Sequence, residues 1–128
     1  MPFDNPSQAP IGDVAILMDA RDRIANPSRW MQNDLQDGDR HCLVAALSLA
    51  CGSRSFDKPN ETELRLAKFL AKQVPLSHGF TKWVAFVSPR HGLMMFNDHR
   101  RTRHDDVMGL FDRAIDRLER KAPLYAAA

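Results

Sequence analysis

Cys42 has the clearest claim to chemistry in this chain. It stands beside His41 at the head of an apolar run, His41-Cys-Leu-Val-Ala-Ala-Leu-Ser-Leu-Ala-Cys51, that reads as a helix. Unpaired amides and the dipole at a helix N-terminus stabilise a thiolate. A cysteine-dependent hydrolase or transferase built there would take its base from His78, His91, His99 or His104, oriented by Asn97 or Asp98. Cys42, His91, His99, Asn97 and Asp98 are therefore the candidate catalytic set. The competing reading carries more weight, because free cysteine is among the most buried residue types and this one leads directly into Leu-Val-Ala-Ala-Leu. Cys51, beside Gly52, reads as structural. Nine residues along one helix put the two thiols about 13 Å apart on opposite faces, too far for a disulfide.

The second cluster is Asn97-Asp-His-Arg-Arg-Thr-Arg-His-Asp-Asp106. Arg100, Arg101 and Arg103, with Arg90 nearby, make a local basic patch that could meet a nucleic-acid backbone or another anion at a helix start. Asp105 and Asp106 compete for the same helix dipole, which favours a solvated capping loop. A metal site is not expected: His99 and His104 are five residues apart rather than four, and no HExxH, CxxC or EF-hand spacing occurs. No Gly-rich phosphate loop and no GxSxG is present either, so no cofactor is expected. Trp30 and Trp83 read as buried anchors between helices.

Positioning these residues requires mostly helices. Val14, Leu17, Met18, Ile24 and Ala25 recur at helical spacing until Asn26-Pro27, with Asp19 and Arg23 as a pair on the wet face. The run 42–51 is apolar almost all round and so central, with Asp39 as its candidate N-cap and Gly52 as its C-cap. Asn60-Glu-Thr-Glu63 has the form of a capping box ahead of Leu64, Ala67, Leu70 and Ala71. Thr102-Arg-His-Asp105 opens the last helix, whose Val107, Leu110, Phe111, Ala114, Ile115 and Leu118 form one face. The stretch 80–96 reads two ways. Phe80, Trp83, Val84 and Val87 fit a short helix over 80–88, and Ser88-Pro-Arg-His-Gly92 also fits the turn of a β-hairpin over 82–97.

These motifs, in order, resemble those of a family of small uncharacterised bacterial and phage-borne domains. The similarity rests on Trp30, the Asp37-Gly-Asp39 turn, Cys42-Leu-Val-Ala-Ala-Leu47, Phe96-Asn-Asp98, Thr102, Asp106-Val107 and Phe111-Asp-Arg-Ala114, and covers about residues 13–120. The chain departs from the family pattern at Ala45, where the family has glycine, and at Phe96, where it has tryptophan. Residues 53–95 are also longer than the family's middle segment. The resemblance implies a mostly helical fold and no established activity. It also gives Trp30, Cys42, Asn97, Asp98 and Thr102 a structural role, with Asn97-Asp98 as an Asx-type turn locking the entry to the last helix.

Together these readings predict a mainly α, single compact domain of four to five helices over 12–121, with 103–120 docked across 42–51. A flexible arm, 1–11, precedes it and a frayed tail, 122–128, follows. Its 128 residues leave no room for a second core, and a net charge of +2 excludes the strong electropositive field of a nonspecific nucleic-acid binder. Arginine and alanine usage points to a bacterial source. The opening residues lack a signal-peptide pattern, and no apolar run approaches the roughly 20 residues that cross a bilayer. The expected compartment is the cytoplasm. The favoured function is a noncatalytic accessory or interaction module with a protein partner or a homo-oligomer and no membrane contact. The alternatives are the Cys42 hydrolase and a nucleic-acid-contacting regulator using Arg90, Arg100, Arg101 and Arg103.

Overall fold

The computed structural model describes the backbone of residues 9–127 and the side chains of residues 12–121. Within them the chain forms six α-helices: α1 (Ala9–Arg23), α2 (Leu43–Ala50), α3 (Glu61–Ala71), α4 (Phe80–Val87), α5 (Pro89–Asp98) and α6 (His104–Ala127). One antiparallel hairpin, β1 (Gln36–Asp37) and β2 (Arg40–His41), precedes α2. Gly38 takes φ 63° at the first central position of its two-residue turn, the type II′ arrangement that glycine favours. The backbone of 122–127 is helical and continues α6. The arm expected over 1–11 lies mostly outside the described residues, and α1 already includes Ala9 to Ile11.

Helix α2 is central because Leu43 through Ser48 are all buried. It ends as Gly52 requires. At φ 70° this glycine lets Ser53 N bond Ser48 O at 3.1 Å and its own N bond Leu49 O at 3.2 Å, a Schellman closure. Helix α1 packs on both α2 and α6, and α5 packs on α3, α4 and α2. The last helix therefore docks along α1 rather than across α2. At about 1.5 Å per residue, the eight residues of α2 offer only about 12 Å of contact, whereas α1 runs to roughly 22 Å. The inward face of α6 is the expected one, with Val107, Leu110, Phe111 and Ala114 fully buried.

Two helix starts differ from expectation. Asp39 sits in the hairpin turn, and the residue at the α2 N-cap is Cys42, whose Sγ accepts from Ala45 N at 3.4 Å. At α6 the capping pair is shifted by one: Asp106 Oδ2 accepts from Arg103 N at 2.8 Å, while the Thr102 hydroxyl is buried without a partner. Helix α3 begins at Asn60 as expected, its Oδ1 accepting from Glu63 N at 2.8 Å. The reciprocal arm of that box is absent, because Asn60 N donates to Ser53 Oγ and the Glu63 side chain turns inward. Cations close the other end of α3: Lys82 Nζ donates to Lys72 O at 2.7 Å and Arg113 to Gln73 O at 3.0 Å.

The stretch 82–97 holds two helices, so the hairpin alternative does not apply there. Ser88 is held out of the helical region (φ −143°, ψ 82°) because proline follows it, and Pro89 occupies the first turn of α5, where its missing N–H costs nothing. Gly92, which imitates a turn signal, is needed for close packing: a Cβ there would lie 2.2 Å from Ala85 Cα and 2.4 Å from Ala85 N. Gly92→Ala is therefore expected to destabilise the domain by roughly 1–3 kcal/mol through overpacking. Urea unfolding measures it, and Ala85→Gly should not rescue it, since the obstacles are backbone atoms.

Candidate functional site

The residues singled out in the sequence gather where the end of α5 meets the start of α2. Asn97, fully buried and penultimate in α5, uses its whole amide there. Its Oδ1 accepts from Trp30 Nε1 at 2.7 Å and from Leu43 N, the first amide of α2, at 3.0 Å. Its Nδ2 donates to Met31 O at 3.0 Å and to Asp98 Oδ1 at 2.9 Å. Asp98 Oδ1 also accepts from the amide of Asn33 at 2.8 Å, which holds that residue at φ 70°, a left-handed conformation asparagine tolerates. These contacts reach across the fold, 54 residues to Leu43 and 65 to Asn33, so they are not a local Asx turn.

Gln32 completes the joint from the other side. Its Nε2 donates to the carbonyls of Asn97 at 2.8 Å and His99 at 3.0 Å, covering oxygens that the end of α5 leaves without helical partners. So α5 caps α2 through a side chain, while the loop before α2 caps α5. His104 Nε2 lies 2.7 Å from Ile24 O, and its ring meets Trp30 edge-on, which ties the start of α6 and the end of α1 to the same joint.

Beside this joint is a cleft of about 280 Å³ lined by Asn33, Asp34, Leu35, Cys42, Met94 and Asp98. Cys42 is 3 % exposed, and burial pushes its thiol above the ordinary range, more than the Ala45 and Val44 amides pull it down. The Asp98 carboxylate adds to the upward shift. No histidine lines the cleft among the described residues. His91 is exposed on the first turn of α5. The His78 ring is held between Phe96 and His99, and burial, then His99 and Arg101, lower its pKa. Burial and Arg23 likewise lower that of His41. Cys51 is pushed up to about 12 by burial and by Glu63. A buried thiol held above its ordinary range, with no imidazole in its cleft among the described residues, lacks the base that would activate it as a nucleophile.

Iodoacetamide at neutral pH is accordingly expected to leave Cys42 and Cys51 unmodified in the native protein and to alkylate both in urea, as read by intact mass. Rapid alkylation of native Cys42 alone would contradict this assignment.

The four arginines do not form one patch. Arg100, Arg101 and Arg103 are exposed, but Arg90, at the other end of α5, turns inward. Arg90 Nε pairs with Glu63 Oε2 at 2.8 Å, and its guanidinium also donates to Phe56 O. Glu63 is fully buried and its Oε1 accepts from Ser48 at 2.5 Å and Ser53 at 2.7 Å. Nothing in the spacing of Glu63 and Arg90 announces this pair, because the partners are 27 residues apart. Among the described residues no group of three or more His, Cys, Asp or Glu side chains could hold a metal ion. No described helix is long and apolar enough to cross a membrane.

Trp83 does not act as a buried anchor. It stacks on Phe80 with ring centroids 5.8 Å apart, and both face outward with Leu76, Phe86 and Val87. Leu76 is 85 % exposed, Phe86 84 % and Trp83 59 %, while Thr81, Val84 and Ala85 supply the buried side of α4. Scattered exposed hydrophobics are ordinary; five large ones together are not. Their cue in the sequence is a segment, Phe80-Thr-Lys-Trp-Val-Ala-Phe-Val87, with more apolar bulk than one helix face can bury.

No curated protein and no solved structure matches this chain. The joint of Trp30, the head of α2 and Asn97-Asp98 is made of the residues that carry its family likeness, and over residues 9–117 the chain belongs to DUF6197, a family of unknown function.

Proposed function

We propose that the domain is a noncatalytic interaction module that engages a protein partner through the outward face of α4. The observation carrying this reading is the exposure of Phe80, Trp83, Phe86 and Val87 on one side of α4, with the Phe80 and Trp83 rings stacked and Leu76 exposed just before the helix. Large aromatic side chains held in fixed positions lose little entropy on association and supply the central anchors of binding surfaces. The joint around Asn97 serves this face by fixing α5, against which α4 is packed through Gly92. The setting we propose is a bacterial cytoplasm, a reducing compartment in which two free thiols are ordinary.

The test is a Trp83→Asp/Phe86→Asp variant. Both side chains are exposed, so its unfolding free energy is expected to stay within about 1 kcal/mol of wild type. Purified partners identified with the wild-type protein should lose at least about tenfold in affinity by titration calorimetry. A variant that binds every partner as wild type does would refute the reading.

A further inference from the structure

We propose that the occupant of the α4 face is an acidic amphipathic segment of another protein, with apolar side chains against Phe80, Trp83 and Phe86 and carboxylates against the cations beside them. This rests on the interaction reading above and adds the partner's chemistry. Residues 64–97 contain five Lys or Arg and no Asp or Glu; Arg65 and Arg90 pair with Asp13 and Glu63, which leaves Lys68, Lys72 and Lys82 without an acid among the described residues. At about 100° per residue, Phe86, Trp83, Val87 and Phe80 fall within an arc of about 120°, and Lys82 lies at its edge.

The fold adds cations from two other helices to that edge. The Lys82 ammonium reaches the Lys72 carbonyl at the end of α3. Arg113 and Arg117 of α6 lie close enough to join burial in holding Lys82 below its usual range. None of Lys72, Lys82, Arg113 and Arg117 takes part in an ion pair among the described residues. Of the acids in the middle of α6, Asp112 pairs with Arg21 on α1 and Asp116 with Arg120.

An apolar ledge with unpaired cations on its rim suits a partner with the opposite pattern, which electrostatic complementarity would steer into place. A two-fold contact between copies would bring the same cations face to face, so a second copy is disfavoured. A lipid surface is the competing anion. Two of the cations are fixed on backbone carbonyls, Lys82 on Lys72 and Arg113 on Gln73, and a fixed array suits carboxylates in a set register better than laterally mobile headgroups.

Selection of a random 16-residue peptide library on the immobilised full chain tests this, with Trp83→Asp/Phe86→Asp and Lys72→Glu/Arg117→Glu as parallel baits. Among the described residues the side chains of Lys72 and Arg117 hold no backbone carbonyl, so the charge variant keeps the α3 cap. The expected result is enrichment of peptides rich in Asp or Glu together with Leu, Phe or Trp. These should be lost on the aspartate bait, weakened about tenfold on the glutamate bait, and weakened further by added salt. Peptides lost on the aspartate bait but without acidic bias would overturn this inference and leave the interaction face standing. Peptides indifferent to the aspartate bait, or no enrichment at all, would overturn both. Binding to phosphatidylserine vesicles without peptide enrichment would assign the face to lipid, and self-association abolished by Trp83→Asp/Phe86→Asp would assign it to a second copy; either result overturns the inference.

Discussion

Asn97→Ala is expected to destabilise the domain by roughly 3–5 kcal/mol, a large share of the roughly 5–15 kcal/mol by which a domain is stable. The truncation strips the acceptor from Trp30 Nε1 and from Leu43 N, and the donor from Met31 O, at a point with no solvent access. Each buried polar group left unmade costs about 1–3 kcal/mol. Asn97→Asp separates the two halves of the amide. Its oxygens still accept from Trp30 and Leu43, but a second carboxylate then faces Met31 O and Asp98 Oδ1. That environment raises the folded-state pKa of the new aspartate above its unfolded value near 3.9. The variant should therefore be closest to wild type below about pH 4 and should lose stability as pH rises through the folded-state value. Urea unfolding across pH 3–7 reads this slope. A flat difference between Asp and wild type would refute the donor assignment.

Arg90→Ala is expected to cost a comparable 3–5 kcal/mol, because it leaves the Glu63 carboxylate buried with only the Ser48 and Ser53 hydroxyls. Arg90→Met/Glu63→Gln removes both charges and retains much of the volume. It should be less destabilised than Arg90→Met alone by about 1–2 kcal/mol, a non-additivity that a double-mutant cycle reads directly. The same measurement bears on the arginine loop. If Arg90 contributes only to the interior, Arg90→Met/Glu63→Gln should leave affinity for a DNA duplex unchanged, whereas a surface role would weaken it.

The helical periods were legible. Buried positions on α6 follow the apolar spacing residue by residue; on α3 Ala67, Leu70 and Ala71 do so, but Leu64 is exposed and Leu66 is buried in its place. Gly52 closes α2 as its place in the sequence requires. The cap positions were legible only to within a residue or three. Cys42 rather than Asp39 precedes α2, where Asn97 from α5 takes the first amide, and Arg103 rather than Thr102 precedes α6, where Asp106 takes the Arg103 amide. Ser88-Pro89 and Gly92 are ambiguous by nature. Proline serves a turn and the first turn of a helix equally well, and glycine serves a hairpin and a helix crossing.

The importance of Asn97 and Asp98 could be read from the sequence, but not their partners, since hydrogen bonds that span 54 and 65 residues leave no periodic trace. Gln32 and the pair of Glu63 with Arg90 gave no signal at all, for the same reason. By itself the sequence determined what is local: the helical class, the inward faces of the longer helices, the distance that forbids a disulfide, and the segment likeness that makes this a DUF6197 chain. Tertiary structure alone decided what depends on which surfaces meet. Packing α5 against α3 and α4 consumed the inner side of α4, closed Cys42 into the core and drew Arg90 inward. The aromatic side of α4 was left facing water, with no other described helix covering it.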